Sequence, residues 1–224
     1  MLLDPERELY VLELSSFQID LSFGLACEVA VLLNVTPDHL DRYEGMDAYA
    51  AAKARLFAMQ EREAVAVIAT DDAYSRAAAA SVRARLVEVS ATRRLERGIS
   101  VVDGTAYRNG VAFAAQSGWA ALPGAHNAQN AAAAIAAALA LGIEEDAVRS
   151  GLDSYPGLPH RMELIAVRGG VRFLNDSKAT NPAAAAPALS AYPAIHWIAG
   201  GQAKTDRLDE ALPHLGNVRA AYLI

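Results

Sequence analysis

Residues 64–90, AVAVIATDDAYSRAAAASVRARLVEVS, decide the fold. Ala64–Thr70 reads as a strand, Tyr74–Arg85 as a helix and Leu86–Ser90 as another strand. That alternation argues for an α/β sheet with right-handed crossovers. Working outward, Leu9–Leu14 and Ala26–Val35 are continuous apolar runs, which suit strands covered on both faces of a parallel sheet. Asp47 reads as the cap of a helix running to about Met59. Downstream, Ile99–Ala114 holds two short strand-like runs around Arg108-Asn109-Gly110, the pattern of a hairpin. An Ala-rich helix then runs from about Asn127 to Leu141, with Gly142 as its stop.

Ser154-Tyr155-Pro156-Gly157-Leu158-Pro159 is the best candidate for a linker, because two prolines and a glycine oppose any continuing element. Beyond it come two strands around Gly169-Gly170, a polar loop, and a helix from about Pro182. The strand Ile195–Ala199, a Gly200-Gly201 turn, a helix near Asp206–Leu212 and the strand Val218–Ile224 follow. The expected organisation is therefore α/β: a domain over 1–158 with a mostly parallel sheet, helices and a small hairpin, and a Rossmann-like domain over 159–224. Both ends read as cut, since the chain starts just before one expected strand and stops inside another.

Composition narrows the function. The chain has 224 residues, 53% of them hydrophobic, and a formal charge of -6. It can bury a real core, and its charge gives no reason to expect nucleic acid or an anionic membrane as partner. The single cysteine, Cys27, excludes an internal disulfide and a multi-cysteine zinc site, and its apolar surroundings suit packing. The run Ala131–Ile143 is too short to span a bilayer. A reducing, cytoplasmic setting is expected.

Three polar loops carry the chemistry. Asn175-Asp176-Ser177-Lys178-Ala179-Thr180-Asn181-Pro182 gathers a carboxylate, an ammonium, hydroxyls and amides. Asn181 suits the cap, and Pro182 the first turn, of the helix that follows, and a helix N-terminus favours anions. Glu13 ends the first expected strand, where ligands of α/β sheets gather; a lone acid there serves as a Mg²⁺ ligand about as often as it is merely solvated. Parallel strands would place His39, in Asn34-Val35-Thr36-Pro37-Asp38-His39, along the same edge, although histidine is an unusual Mg²⁺ ligand.

Lys53 lies on a helix beside small alanines. Asn127 and Asn130, three apart, share a helix face, and an amide suits the edge of a base, although Asn127 reads equally well as a cap. Arg161 follows the linker, where domain closure could deliver a phosphate-binding guanidinium. Lys204, after Gly200-Gly201, reads equally as a carboxylate ligand or a solvated loop lysine.

In this order, Glu13-Leu14-Ser15-Ser16-Phe17-Gln18, Asn34–Tyr43, His126–Asn130 and Asn175–Pro182 resemble segments of the Mur ligase family. Within it they look like the branch that adds D-glutamate to UDP-N-acetylmuramoyl-L-alanine during peptidoglycan synthesis. The resemblance implies ATP and Mg²⁺, with Glu13, His39 and a carbamylated Lys53 holding the metal. Asn127, Asn130, Arg161 and Asp176 would contact ATP, and Ser15, Gln18, Lys178 and Thr180 the UDP-sugar. Lys204 would bind D-glutamate, and Lys53, His39 and Lys178 would serve the chemical steps. It further implies a monomer.

The family's Gly-x-x-Gly-Lys-Ser/Thr phosphate loop does not occur in this chain. The chain therefore reads as the interior of a ligase, inactive alone. Two alternatives stand beside that reading: a ligase for another amino acid, and a non-catalytic binding protein of the same fold.

Overall fold

The structure is a computed structural model that describes residues 6–37, 42–201 and 208–224. The chain divides into two compact units, Met1–Glu88 and Val89–Ile224. Six strands, β1 (Val29–Leu32), β2 (Val65–Ala69), β3 (Arg85–Ser90), β4 (Ile99–Val102), β5 (Thr105–Arg108) and β6 (Val111–Ala115), form a sheet in chain order. Pairing is parallel at β1–β2 and β3–β4 and antiparallel through β4, β5 and β6. This is the expected α/β architecture.

In the first unit β2 is buried along its whole length, as its unbroken apolar sequence requires. Ala66 and Ile68 pack with Ala30, Leu32 and Val35, with Tyr49 and Phe57 of α2 (Met46–Ala58), and with Ala78 of α3 (Ala73–Ser81). Each large side chain removed from water there contributes about 1.5–3 kcal/mol. Gln60 closes the lower edge, its Nε2 donating to the carbonyls of Cys27 at 3.2 Å and Val65 at 2.9 Å. Burial pushes the Cys27 thiol up from its ordinary value, which suits a packing residue.

Several expected boundaries move. Leu9–Leu14 forms no strand and no other regular element, and Val11 is 88% exposed. An apolar run becomes a strand only where a neighbour accepts its ladder, and among the described residues none does. Ala26–Val35 shortens to Val29–Leu32, the length that β2 pairs. Asp47 is not the cap of α2. Gly45 takes that place at φ 99°, and Asp47 lies in the first turn, where an acid favours the helix dipole. The helix expected over Tyr74–Arg85 ends at Ser81, because the chain must extend to begin β3, where Arg85 N–H donates to Ala64 C=O.

In the second unit the expected hairpin is a three-stranded meander with two tight turns. Asp103-Gly104 and Asn109-Gly110 all adopt positive φ, as two-residue hairpin turns demand. The Ala-rich helix α4 (Ala125–Ala140) packs on β4, and α5 (Glu145–Ser154) packs beside α4. Arg149 of α5 stacks over Phe113, donates to its carbonyl, and pairs with Glu145 and Asp146. Glu145 also pairs with Arg108. The Arg149 hydrogen bond first, and Arg108 after it, holds the Glu145 carboxyl below its ordinary value.

β7 (Glu163–Arg168) and β8 (Val171–Asn175) form the hairpin expected at Gly169-Gly170. The helix α6 (Pro182–Ala191) has the expected cap, with Asn181 Oδ1 accepting from Ala184 N–H at 2.7 Å and Pro182 in its first turn. β9 (Ile195–Ala199) and β10 (Val218–Leu223) pair in parallel, in keeping with a Rossmann-like rhythm. The helix expected near Asp206–Leu212 falls partly outside the described residues. Within them, Leu212–Asn217 is a 3₁₀ turn that opens with Pro213.

Candidate functional site

The first unit carries one half of the candidate residues. Glu13 is exposed in the irregular segment that enters α1 (Ser16–Asp20), and so does not end a strand. Ser15 caps α1 and Gln18 answers it. Ser15 N–H donates to Gln18 Oε1 at 2.8 Å, Ser15 Oγ donates to the same oxygen at 2.9 Å, and Gln18 N–H donates to Ser15 Oγ at 3.3 Å. This is a capping box, and its Ser-x-x-Gln signature was legible in Ser15-Ser16-Phe17-Gln18.

An aromatic ladder ties this short helix to α2. The Arg42 guanidinium lies 4.1 Å above the Phe17 ring, Phe17 stacks on Tyr43 at 6.0 Å, and Tyr43 meets Tyr49 at 5.4 Å. Tyr43 hydroxyl donates to Asp20 Oδ2 at 2.9 Å. Burial first, and the Asp20 carboxylate after it, pushes that hydroxyl up from its ordinary value, so it remains a donor. Phe17, Asp20, Leu21, Arg42 and Tyr43 line an open hollow of about 150 Å³.

Lys53 Nζ lies 4.9 Å over the Tyr49 ring, at the far end of the ladder. The ring face attracts that cation. Glu13 has no hydrogen-bond or ion-pair partner among the described residues, and a lone hard carboxylate suits Mg²⁺ that takes its remaining ligands from phosphate and water. Among the described residues no three His, Cys, Asp or Glu side chains gather as a metal cluster. His39 and Lys204 lie outside the described residues.

The second unit carries the other half, more tightly knit. Gly124, at φ 85°, caps α4, which corrects the alternative reading of Asn127 as its cap. Asn127 lies in the first turn, its Nδ2 donating back to Pro123 C=O at 2.8 Å and its Oδ1 accepting from Asn130 Nδ2 at 3.3 Å. The two amides thus share one helix face. Gln116 Nε2 fixes the approach by donating to the carbonyls of Leu122 and Gly124. Burial pushes the His126 imidazole down from its ordinary value, and the nearby Asp176 carboxylate acts in the opposite sense.

Asp176 Oδ1 accepts from Met162 N–H at 2.9 Å, one residue beyond Arg161. Lys178 N–H donates to His160 C=O at 3.1 Å, and Ala179 N–H to Asp176 C=O at 2.8 Å. Arg161, Asp176 and Lys178 are thereby joined through two adjoining loops, while Asn127 and Asn130 pair with each other at the start of α4. Thr180 is exposed just before the cap of α6. His160 at φ 63° and Met162 at φ 47° flank Arg161 in left-handed backbone, which costs about 1–3 kcal/mol at each non-glycine position. Of the residues that sustain this conformation, Asn175 stands in the polar run read from sequence but with no supporting role assigned, and no local signal marks the supporting roles of His160 and Glu163.

Comparison with known proteins gives a consistent result. Residues 2–138 match the Mur ligase middle domain. A protein of Sphingopyxis alaskensis named UDP-N-acetylmuramoylalanine–D-glutamate ligase is 53% identical over 98% of this chain and 48% of its own length. One of the same name from Novosphingobium aromaticivorans is 52% identical over 98% of this chain and 46% of its own. The chain spans about half the length of the curated relatives it matches. Among solved structures, the MurF ligase of Thermotoga maritima in complex with ADP aligns with a TM-score of 0.66 at 19% identity. It covers 89% of this chain and 49% of the other, a likeness of fold.

Proposed function

The chain belongs to the Mur ligase family, and from that premise we propose that it forms part of a longer ATP-dependent ligase joining D-glutamate to UDP-N-acetylmuramoyl-L-alanine in peptidoglycan synthesis. The observation that carries the reading is the identity of about half, over nearly the whole chain, with relatives named for that reaction. The bond that ties the Asp176 carboxylate to the Arg161 turn, and the Asn127–Asn130 amide pair at the start of α4, support it, since amides, a guanidinium and a carboxylate are groups that suit a nucleotide.

In this reading residues 1–158 serve ATP and residues 159–224 begin the amino-acid-binding domain. ATP supplies the phosphoryl group that activates the substrate carboxylate as an acyl phosphate, leaving ADP; the amine of D-glutamate then attacks the acyl carbon, and phosphate leaves as the amide forms. Asn127 and Asn130 present amide edges to the base, Asp176 orients the nucleotide, and Arg161 and Lys178 offset charge on the transferring phosphate. Ser15, Gln18 and Thr180 face the UDP-sugar and Lys204 the incoming D-glutamate. Glu13 would serve as the carboxylate ligand of Mg²⁺, with His39 and a carbamylated Lys53 as the further candidates. The parent ligase works as a monomer in the cytoplasm.

The test is phosphate release by the parent ligase. Release should require both UDP-N-acetylmuramoyl-L-alanine and D-glutamate, and a panel of other amino acids should not replace D-glutamate. Lys204→Ala should mainly raise the D-glutamate requirement. Better turnover with another acceptor, or release without the UDP-sugar, overturns the assignment.

A further inference from the structure

Arg161 is held by an unusual piece of backbone. Its neighbours His160 and Met162 both adopt left-handed φ, and the guanidinium has no hydrogen-bond or ion-pair partner among the described residues. Such a turn persists only where surrounding bonds over-determine it. Arg161 N–H donates to Leu158 C=O at 3.2 Å, within the turn itself. The bonds that enter the turn from outside come from Glu163, from Asn175 at the end of β8, and from the loop after it, where Asp176 Oδ1 accepts from Met162 N–H and Lys178 N–H donates to His160 C=O.

Glu163 Oε2 accepts from His160 N–H at 2.8 Å and from Asn175 Nδ2 at 3.4 Å. Asn175 Nδ2 also donates to His160 Nδ1 at 2.8 Å, while Asn175 Oδ1 accepts from Ser177 N–H at 3.1 Å. Asn175 is therefore the joint between two loops. One hand of its amide holds the turn that presents Arg161, and the other shapes the loop that presents Asp176. Neither Glu163 nor Asn175 is assigned a ligand in the ligation.

We propose that Glu163 and Asn175 are positioning residues that lock the His160–Met162 turn and so fix Arg161 in register with Asp176. The proposal rests on the reading that Arg161 and Asp176 both serve the nucleotide. Asn175 sets the distance between the two loops, and Glu163 sets the orientation of the turn within its own.

The experiment uses the parent ligase with Glu163→Ala, Asn175→Ala and Glu163→Gln, each alone and combined with Arg161→Ala. Two readouts are taken: steady-state turnover against ATP in every variant, and the rate of tryptic cleavage at the Arg161–Met162 bond in those that keep Arg161. Each alanine variant should lower kcat about tenfold, as a small misplacement of a charged group does. Glu163→Gln, which keeps the acceptor, should stay within about twofold. In the Arg161→Ala background the Glu163 loss should vanish, because that residue acts through the Arg161 side chain, and the Asn175 loss should shrink to the part carried by the Asp176 loop.

Cleavage at Arg161 should rise about tenfold or more in the alanine variants, since local opening exposes the bond. A kcat loss of the same size with and without Arg161 refutes the proposal, and so does unchanged cleavage. If the parent shows no ligation, the functional reading falls, and the proteolysis result still judges the lock.

Discussion

Asp72 is the residue whose removal should report most directly on how the first unit is tied together. Its Oδ1 accepts from Ser75 N–H at 2.8 Å and caps α3, while its Oδ2 accepts from Val35 N–H at 3.4 Å, beyond the end of β1. Asp72→Ala removes both. Loss of a helix cap costs about 1 kcal/mol. Val35 is buried, so its amide, left without that acceptor, adds about 1 kcal/mol more, the long distance keeping it at the low end. The sum, about 2 kcal/mol, should lower Tm by about 4–8 °C in a chain of this size.

Asp72→Ser separates the contributions, because serine caps well yet is too short to reach Val35, so it should show about half the loss. Circular dichroism melts measure the totals, and amide exchange at Val35 isolates the long-range bond. That exchange should quicken in both variants. A serine variant as unstable as the alanine variant would show that the cap contributes nothing. An alanine variant within about 0.5 kcal/mol of the parent would refute the whole account.

Two further outcomes follow from single groups. Ser75 is fully buried and its Oγ has no partner among the described residues, so Ser75→Ala should stabilise by about 0.5–1 kcal/mol by removing an orphan hydroxyl and improving helix propensity; a lower melting temperature would count against this. His126 has a folded-state pKa below the ordinary 6.5, so the unfolded chain takes up a proton first as pH falls through 6.5. Its contribution is complete above that value and is lost below it. The stability of the parent protein minus that of His126→Asn should therefore drop from about pH 7.5 to pH 5.5, and Asp176→Asn should deepen the drop. A flat difference would contradict the burial of the imidazole.

The alternation of strands and helices was legible because burial on both faces leaves unbroken apolar runs, as at Val65–Ala69. Turns were legible where backbone chemistry dictates residue type, as at Asn109-Gly110, Gly169-Gly170 and the Asn181-Pro182 helix start. The hairpin grew to a meander because Asp103-Gly104 carries the same signal and was passed over. Helix α5 was also passed over, although Val148 and Leu152 are buried four residues apart behind an acidic first turn.

Leu9–Leu14 failed as a strand because pairing is a property of the neighbour as much as of the run. The candidate ligands were visible as residue types, but their support was not. Glu163 reaching Asn175, twelve residues on, and Asp176 reaching Met162 are long-range matters that no local pattern encodes.

The alanines of α4 carry a consequence for the two asparagines at its start. Ala128, Ala131, Ala132 and Ala136 are buried with Ile135 on a helix that packs against β4. With only methyl groups filling most of that seam, the spacing of helix from sheet is fixed by main chain rather than by adaptable side chains. The seam works as a mechanical stop: a valine at position 132 would lever the rod outward and swing Asn127 and Asn130 with it. Precision at the amide pair is thus rented from residues one to two turns away that touch no ligand at all.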